Sequence, residues 1–159
     1  LSAAALFILC GQIYERLHNR DLRQMGGLWG RIRYLPGIML FFAVASLGLP
    51  GTGNFVGEFL ILLGSFPVAP TVVVIATFGL VLASVYSLIM MQRACFGPAK
   101  SEAALAGLGA RELGMMLLLA GLLIALGIYP QPVIDTASGT VSSVQHWFVA
   151  LATAHEGVL

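Results

Sequence analysis

At 159 residues the chain is long enough for one soluble domain, but its composition excludes that class. Hydrophobic residues make up 58% of the chain and charged residues 9%, whereas soluble domains average about 25% charged residues. The net charge of +1 excludes a basic nucleic-acid-binding surface. Apolar stretches of about 20 residues indicate a protein embedded in a lipid bilayer.

The ends of the apolar stretches and the cysteines exclude two further classes. Leu1 lies in an apolar stretch with no basic residues before it, so we expect part of a longer protein and no signal peptide. Cys10 and Cys95 lie in or beside apolar stretches, which predicts buried or membrane-facing thiols and excludes a secreted disulfide scaffold.

Four apolar blocks predict an all-α, multi-pass transmembrane helical bundle. The second block spans 32 residues, 35–66, and as one straight helix of about 48 Å it would overshoot a hydrocarbon core of about 30 Å. The predicted layout is the end of a transmembrane helix (1–14), a cytoplasmic basic loop (15–34), a broken transmembrane helix (35–66), a turn and transmembrane helix (67–91), a cytoplasmic loop (92–112), a transmembrane helix (113–129) and an amphipathic tail (130–159).

All eight basic residues lie in the two predicted cytoplasmic loops, and none lies in the tail. The positive-inside tendency therefore places the tail on the opposite side of the membrane. For the arginines we expect solvated loop positions or lipid-headgroup contacts. The basic residues are Arg16, Arg20, Arg23, Arg31 and Arg33 in the first loop and Arg93, Lys100 and Arg111 in the second.

Apolar residues in the tail recur at steps of three and four, which is typical of an amphipathic helix, and Asp135 or Thr136 is predicted to cap it. The tail lacks the basic face of helices that bind anionic lipid, so we expect it to pack against its own bundle or a neighbouring subunit. His146 and His155 do not have a metal-ligand spacing, and no metal site is predicted. The apolar stripe is Ile134, Ala137, Val141, Val144, Trp147 or Phe148, and Leu151.

Three glycines and one proline in the stretch GLPGTGN, residues 48–54, interrupt the long second block. Proline lacks an amide hydrogen, and glycine permits backbone angles that a helix does not use. We therefore predict half-helices at 35–47 and 55–66; if Asn54 caps the second, Glu58 lies in or next to its first turn. Such breaks recur at the ion sites of transporters, and a simple proline kink is the alternative. The residues assigned to the break are Pro50, Gly51, Gly53 and Asn54.

Glu58 is the one ionisable residue in the interior of a predicted span. It lies about 12 Å along the helix from the end of its block, close to the middle of the hydrocarbon core. Intramembrane acids usually mark proton or ion pathways, so Glu58 is the predicted proton-transfer residue. The helix dipole favours its carboxylate and desolvation favours its acid form, which makes the group switchable. The alternative is a protonated, structural hydrogen bonder.

The span after Glu58 carries small residues four apart, at Gly79, Ala83 and Ser87, which predicts close helix packing. Thr77, Ser84 and Ser87 offer hydroxyls that could line a water path. Hydroxyls in such helices more often bond to their own backbone, and that alternative remains open.

Several stretches resemble the C-terminal part of subunit M of bacterial NADH-quinone oxidoreductase, in the antiporter-like membrane subunit family of respiratory complex I. The resemblance rests on LSAAALFILCGQIYER, FGLVLASVYSLIMMQRACFG, YPQPVIDT and, most specifically, LPGTGNFVGEF, and it covers essentially the whole chain. It implies a 14-helix protein with two inverted five-helix repeats, of which this chain is the end of the eleventh helix, the next three helices and the tail.

The resemblance implies a proton channel and no redox site in this chain. Glu58 maps onto the Glu or Lys that the family's broken twelfth helix carries at the outer end of a buried charged axis. The other axis members lie outside this sequence. NADH, FMN, iron–sulfur clusters and quinone are expected on other subunits of the complex. The partners implied are the neighbouring antiporter-like L and N subunits and the bilayer, in a bacterial inner membrane with a periplasmic C-terminus.

Three functions remain open from the sequence. The leading one is a proton-translocating complex I subunit. The second is the related subunit of a multi-subunit Na⁺/H⁺ antiporter or a membrane-bound hydrogenase. The third is a non-conducting membrane scaffold, which would have little reason to keep an acid beside an unwound segment.

Overall fold

The computed structural model describes residues 1–19, 21, 26–97 and 106–156, and for residues 145, 146 and 148–156 it describes the backbone only. Within these residues every regular element is a helix, which confirms the predicted all-α class. The helices are α1 (Ser2–Leu17), α2 (Leu28–Arg31), α3 (Leu35–Ala45), α4 (Gly53–Ser65), α5 (Pro70–Cys95), α6 (Ala110–Ile128) and α7 (Gln131–Glu156).

Three helices extend beyond the apolar blocks that predicted them. α1 runs on to Leu17 and ends at His18, whose φ of 51° is left-handed. α5 continues past 91 to Cys95, and α6 begins at Ala110. Hydrophobicity marks where the bilayer ends, whereas the helical hydrogen bonds continue through polar residues in the interface. The four-residue α2 inside the first loop was missed because it is shorter than one hydrophobic repeat.

The tail helix starts earlier than its predicted cap. The carbonyl oxygen of Pro130 accepts hydrogen bonds from the N–H groups of Val133 and Ile134, at 3.1 and 3.2 Å, and so opens α7. The prediction that Asp135 or Thr136 caps this helix is therefore wrong, since both lie inside it. The hydroxyl of Thr136 instead donates to the carbonyl of Pro132. α7 belongs to a second compact unit, Tyr129–Leu159, separate from Leu1–Ile128.

Apolar packing holds α1 to α3, α3 to α5, and α1 and α4 to α6. Leu9, Phe42 and Met116 are fully buried in this core, which also includes Cys95. Inside a bilayer, helix association depends on close van der Waals packing more than on removal of apolar surface from water.

The outer faces of α5 and α6 are apolar and uncovered. Phe78 and Leu82 on α5 are 67% and 68% exposed, and Leu118 on α6 is 64% exposed. Both helices are long and apolar enough to cross a membrane, while α3 and α4 are shorter apolar helices. A continuous apolar surface of this size requires lipid or further helices around it.

Arg16 joins the end of α1 to the start of α6. Its guanidinium forms a 2.7 Å ion pair with Glu112 and donates to the carbonyl oxygens of Ala106 and Gly107. Its side chain is 12% exposed, so the expectation of a solvated loop or headgroup position is wrong for Arg16. These partners lie 90 to 96 positions from Arg16 in the sequence and come near it only in the folded chain. Arg20, Arg23 and Lys100 lie outside the described residues.

We predict that Arg16→Met destabilises the fold by about 1.5–3 kcal/mol, because charge-assisted hydrogen bonds to the 106–112 segment are lost. The measurement is thermal unfolding in mild detergent followed by helical circular dichroism. Arg93→Met, at an exposed arginine of α5, is the control and should unfold like the parent. Equal unfolding temperatures for the two variants would contradict this assignment.

Candidate functional site

A tight turn closes the unwound segment between α3 and α4. Pro50 and Gly51 occupy its two central positions, and the N–H of Thr52 donates to the carbonyl of Leu49 at 3.0 Å. Gly51 has a φ of 90°, which together with proline before it is typical of a type II turn. The hydroxyl of Thr52 donates to the same carbonyl at 2.7 Å, so this buried residue closes the turn twice.

The chain leaves α3 through Gly48, whose φ of 77° is left-handed. The N–H groups of Ser46, Leu47 and Gly48 still donate to carbonyls of the last turn of α3. This arrangement lets the helix stop inside an apolar environment with these donors satisfied. The break therefore separates two helices, α3 and α4, and is not a kink in one continuous helix.

The carboxylate of Glu58 lies against the backbone of this segment. A Cβ atom built on Gly48 would lie 2.5 Å from Glu58 Oε2 and 3.5 Å from its Cδ, so any residue but glycine would displace the carboxylate. Glu58 is half-buried in the second turn of α4, about 7.5 Å from the helix start. It forms no hydrogen bond or ion pair with the described part of the chain.

Asn54 connects the break to α1 and does not cap α4. α4 begins at Gly53, with Thr52 at the N-cap position and no side-chain cap hydrogen bond. The Asn54 amide instead donates to the hydroxyl of Ser2 at 2.8 Å. The condition that Asn54 caps the helix is not met, because the turn closed by Thr52 already starts α4. Ser2, which is 6% exposed, gave no signal in the sequence, since its partner is 52 residues away.

The hydroxyls and small residues of α5 occupy different environments. The hydroxyls of Thr77 and Ser84 donate to the carbonyls of Val73 and Leu80 in their own helix. Ser87 is buried and Thr77 is exposed. No atom lies within 4 Å of a Cβ built on Gly79, so the predicted close packing does not include that position among the described residues.

The described residues include no cluster of three or more His, Cys, Asp or Glu side chains that could hold a metal ion. Cys10 and Cys95 are free thiols, the first exposed and the second buried. The side chains of His146 and His155 lie outside the described part of α7. The chemistry available at the break is therefore that of one carboxyl group, which can hold or release a proton.

The fold is that of a membrane helix bundle with one discontinuous helix, and a carboxyl group beside such a break is a feature that recurs at the ion sites of transport proteins. Residues 1–83 match the family described as NADH:quinone oxidoreductase/Mrp antiporter, transmembrane. The chain belongs to this family.

Relatives with curated names agree with the resemblance found in the sequence. The chain is 68% identical to NADH-quinone oxidoreductase subunit M of Pseudomonas aeruginosa and 62% identical to that of Escherichia coli K12, in each case over 96% of the chain. It spans about 30% of the length of these relatives, namely 30% and 31%. The resemblance to subunit M is thereby confirmed.

A solved structure agrees with the fold. A chain of respiratory complex I from Thermus thermophilus with bound NADH superposes with a TM-score of 0.73 at 29% identity, covering 80% of this chain and 27% of that one. The predicted antiporter-like transmembrane bundle, with one discontinuous helix, is confirmed.

We predict that the Ser2–Asn54 hydrogen bond couples α1 to α4 by about 0.5–1.5 kcal/mol. Ser2→Ala, Asn54→Ala and the double variant form a cycle in which the double variant should be less destabilised than the sum of the single variants. The free energy of unfolding in detergent is the quantity compared. Strict additivity would mean that the two side chains act independently.

Proposed function

We propose that this chain is the C-terminal part of a proton-translocating membrane subunit of NADH:quinone oxidoreductase, in which Glu58 takes up and releases protons during turnover. The observation that carries the proposal is the Glu58 carboxylate packed on the unwound segment between α3 and α4, without an ion-pair partner in the described part of the chain. The subunit M relatives support the choice of complex.

The physical basis of proton transfer is the balance of forces on Glu58. Desolvation in an apolar environment favours the neutral acid form of Glu58, whereas the positive end of the α4 dipole favours the ionised carboxylate. A nearby charge or entering water would shift this balance and move the proton. We propose that the charge which does so comes from another part of the subunit or from a neighbouring subunit.

The residues of the break and of α5 complete the proposed pathway. Pro50 and Gly51 form the turn that interrupts the helix beside the carboxylate, and Gly53 and Asn54 lie in the first turn of α4 that follows it. Among the α5 hydroxyls, Ser84 and Ser87 are the stronger candidates for contact with water, because Thr77 is exposed on the outer face. A serine hydroxyl that donates to its own helix retains an oxygen that can accept from water.

The same proposal assigns partners, cofactors and location. We infer that the antiporter-like L and N subunits and the bilayer surround this chain. NADH, FMN, iron–sulfur clusters and quinone would bind to other subunits, which carry out the redox chemistry coupled to pumping. The location inferred is the bacterial inner membrane, with the C-terminus in the periplasm.

A second candidate function is cation/proton antiport. The family description names Mrp antiporters beside NADH:quinone oxidoreductase, and a carboxylate can bind Na⁺ as well as H⁺. NADH-driven transport that requires Na⁺ would favour this alternative, whereas transport unaffected by removal of Na⁺ favours proton pumping.

We predict that Glu58→Gln lowers NADH-driven proton pumping by about tenfold or more while the complex still assembles, because the amide cannot ionise. Glu58→Asp keeps the charge but shortens the reach by one methylene, so pumping should fall less. Pumping and quinone reduction are measured in membranes and normalised to assembled complex.

Glu15→Gln is the matched control for this experiment, since Glu15 is an exposed acid of α1. It should pump like the parent. If Glu58→Gln also pumps like the parent, Glu58 is a structural hydrogen bonder and the proposed function of this site is wrong.

The topology proposal predicts labelling from opposite sides of the membrane. With Cys10 and Cys95 replaced by alanine, Ala106→Cys should react with an impermeant thiol reagent from the cytoplasmic side and Ser142→Cys from the periplasmic side. Both positions are exposed in the structure. Labelling of both cysteines from the same side would contradict the proposed location of the C-terminus.

A further inference from the structure

The end of α6 packs directly against the unwound segment. A Cβ atom built on Gly127 would overlap the carbonyl group of Gly51 and would lie 2.5 Å from the carbonyl carbon of Thr52. Because these neighbours are backbone atoms of a hydrogen-bonded turn, no side-chain rotation could make room for it. Gly127 lies inside a regular helix, so the requirement for glycine is steric and not conformational.

This close approach is local to the last turn of α6. Gly53, at the start of α4, would bring a Cβ atom to 3.0 Å from the Cβ of Leu126. At the earlier glycines of α6, Gly114 and Gly121, no atom of the described residues lies within 4 Å of the corresponding position. The end of α6 therefore approaches the break most closely at Leu126 and Gly127, and the Leu123 carbonyl lies 3.7 Å from the same position on Gly53.

The same segment also contacts Glu58. Gly51 touches Gly127 and Gly48 touches the Glu58 carboxylate, and only three residue steps separate these two glycines. Gly48 comes directly before the turn that the Leu49–Thr52 hydrogen bonds close around Gly51. A displacement of Gly51 therefore reaches the backbone against which the carboxylate packs.

We propose that Gly127 is a positioning residue for Glu58. Because Gly127 has no side chain, the Gly51 carbonyl can pack against α6, and this contact fixes the turn that holds the proton-transferring carboxylate in place. The inference rests on the proposed function of Glu58. It adds α6 to the site, although α6 carries no ionisable side chain near the break.

The test compares Gly127→Ala with Gly121→Ala on the same helix, in membranes, with pumping normalised to assembled complex and measured across a range of pH. Gly127→Ala should lower pumping by about tenfold, since displacement of a reacting group by about 1 Å can cost more than that. It should also shift the pH profile of pumping, because the surroundings of the titrating carboxylate change. Gly121→Ala should match the parent in both respects.

A milder pair of variants covers the case in which Gly127→Ala does not assemble. The methyl group of Gly53→Ala would lie 3.0 Å from the Cβ of Leu126, a distance that a small adjustment can relieve. The methyl group of Gly57→Ala on α4 would have no atom of the described residues within 4 Å. Gly53→Ala should shift the pH profile in the same direction as Gly127→Ala, with a smaller loss of pumping. Gly57→Ala should leave the profile unchanged.

The outcomes separate this inference from the proposed function. If Glu58→Gln loses pumping but Gly127→Ala and Gly53→Ala keep the parent pH profile, only the positioning role is overturned. If Glu58→Gln pumps like the parent, the proposed function itself fails. A shifted pH profile in Gly127→Ala together with a parent-like profile in Gly121→Ala supports positioning through Glu58, and equal profiles in the two variants overturn it.

Discussion

The carbonyl oxygen of Leu49 accepts two hydrogen bonds from Thr52, and the geometry of the site depends on this closure. In the hydrocarbon region an unpaired backbone group costs several kcal/mol, so a helix can be interrupted only where the freed groups find partners. Pro50 has no N–H to satisfy, and Gly51 adopts the left-handed angle that the turn requires. The interruption thereby becomes a defined structure beside Glu58.

Polar contacts between helices orient the elements around that turn. Asn54 reaches Ser2 on α1, and Arg16 at the other end of α1 reaches Glu112 and the segment before α6. Both contacts involve α1, which therefore aligns α4 and α6 in the same unit. Because apolar packing in a bilayer does little to select one register, such hydrogen bonds and close glycine contacts have a large share in specifying it.

The sequence located most of the candidate site and misassigned parts of its surroundings. GLPGTGN predicted the break because proline and glycine act on the backbone locally, and Glu58 was found because an acid is conspicuous in an apolar stretch. The sequence did not indicate that Asn54 bonds to Ser2, because the two residues are distant in sequence. Gly79 was expected to pack closely, yet spacing along one helix does not reveal what lies opposite it.

The sequence by itself determined the membrane environment, the all-α class, the interruption of the second span and the one acid beside it. These follow from composition and from local backbone preferences, which act over a few residues. Only the tertiary structure decided that the Glu58 carboxylate packs on Gly48, that Gly127 admits the Gly51 carbonyl, and that Arg16 binds Glu112. Each of these contacts joins residues that are 10 to 96 positions apart in the chain, and only the packing of the helices brings them together.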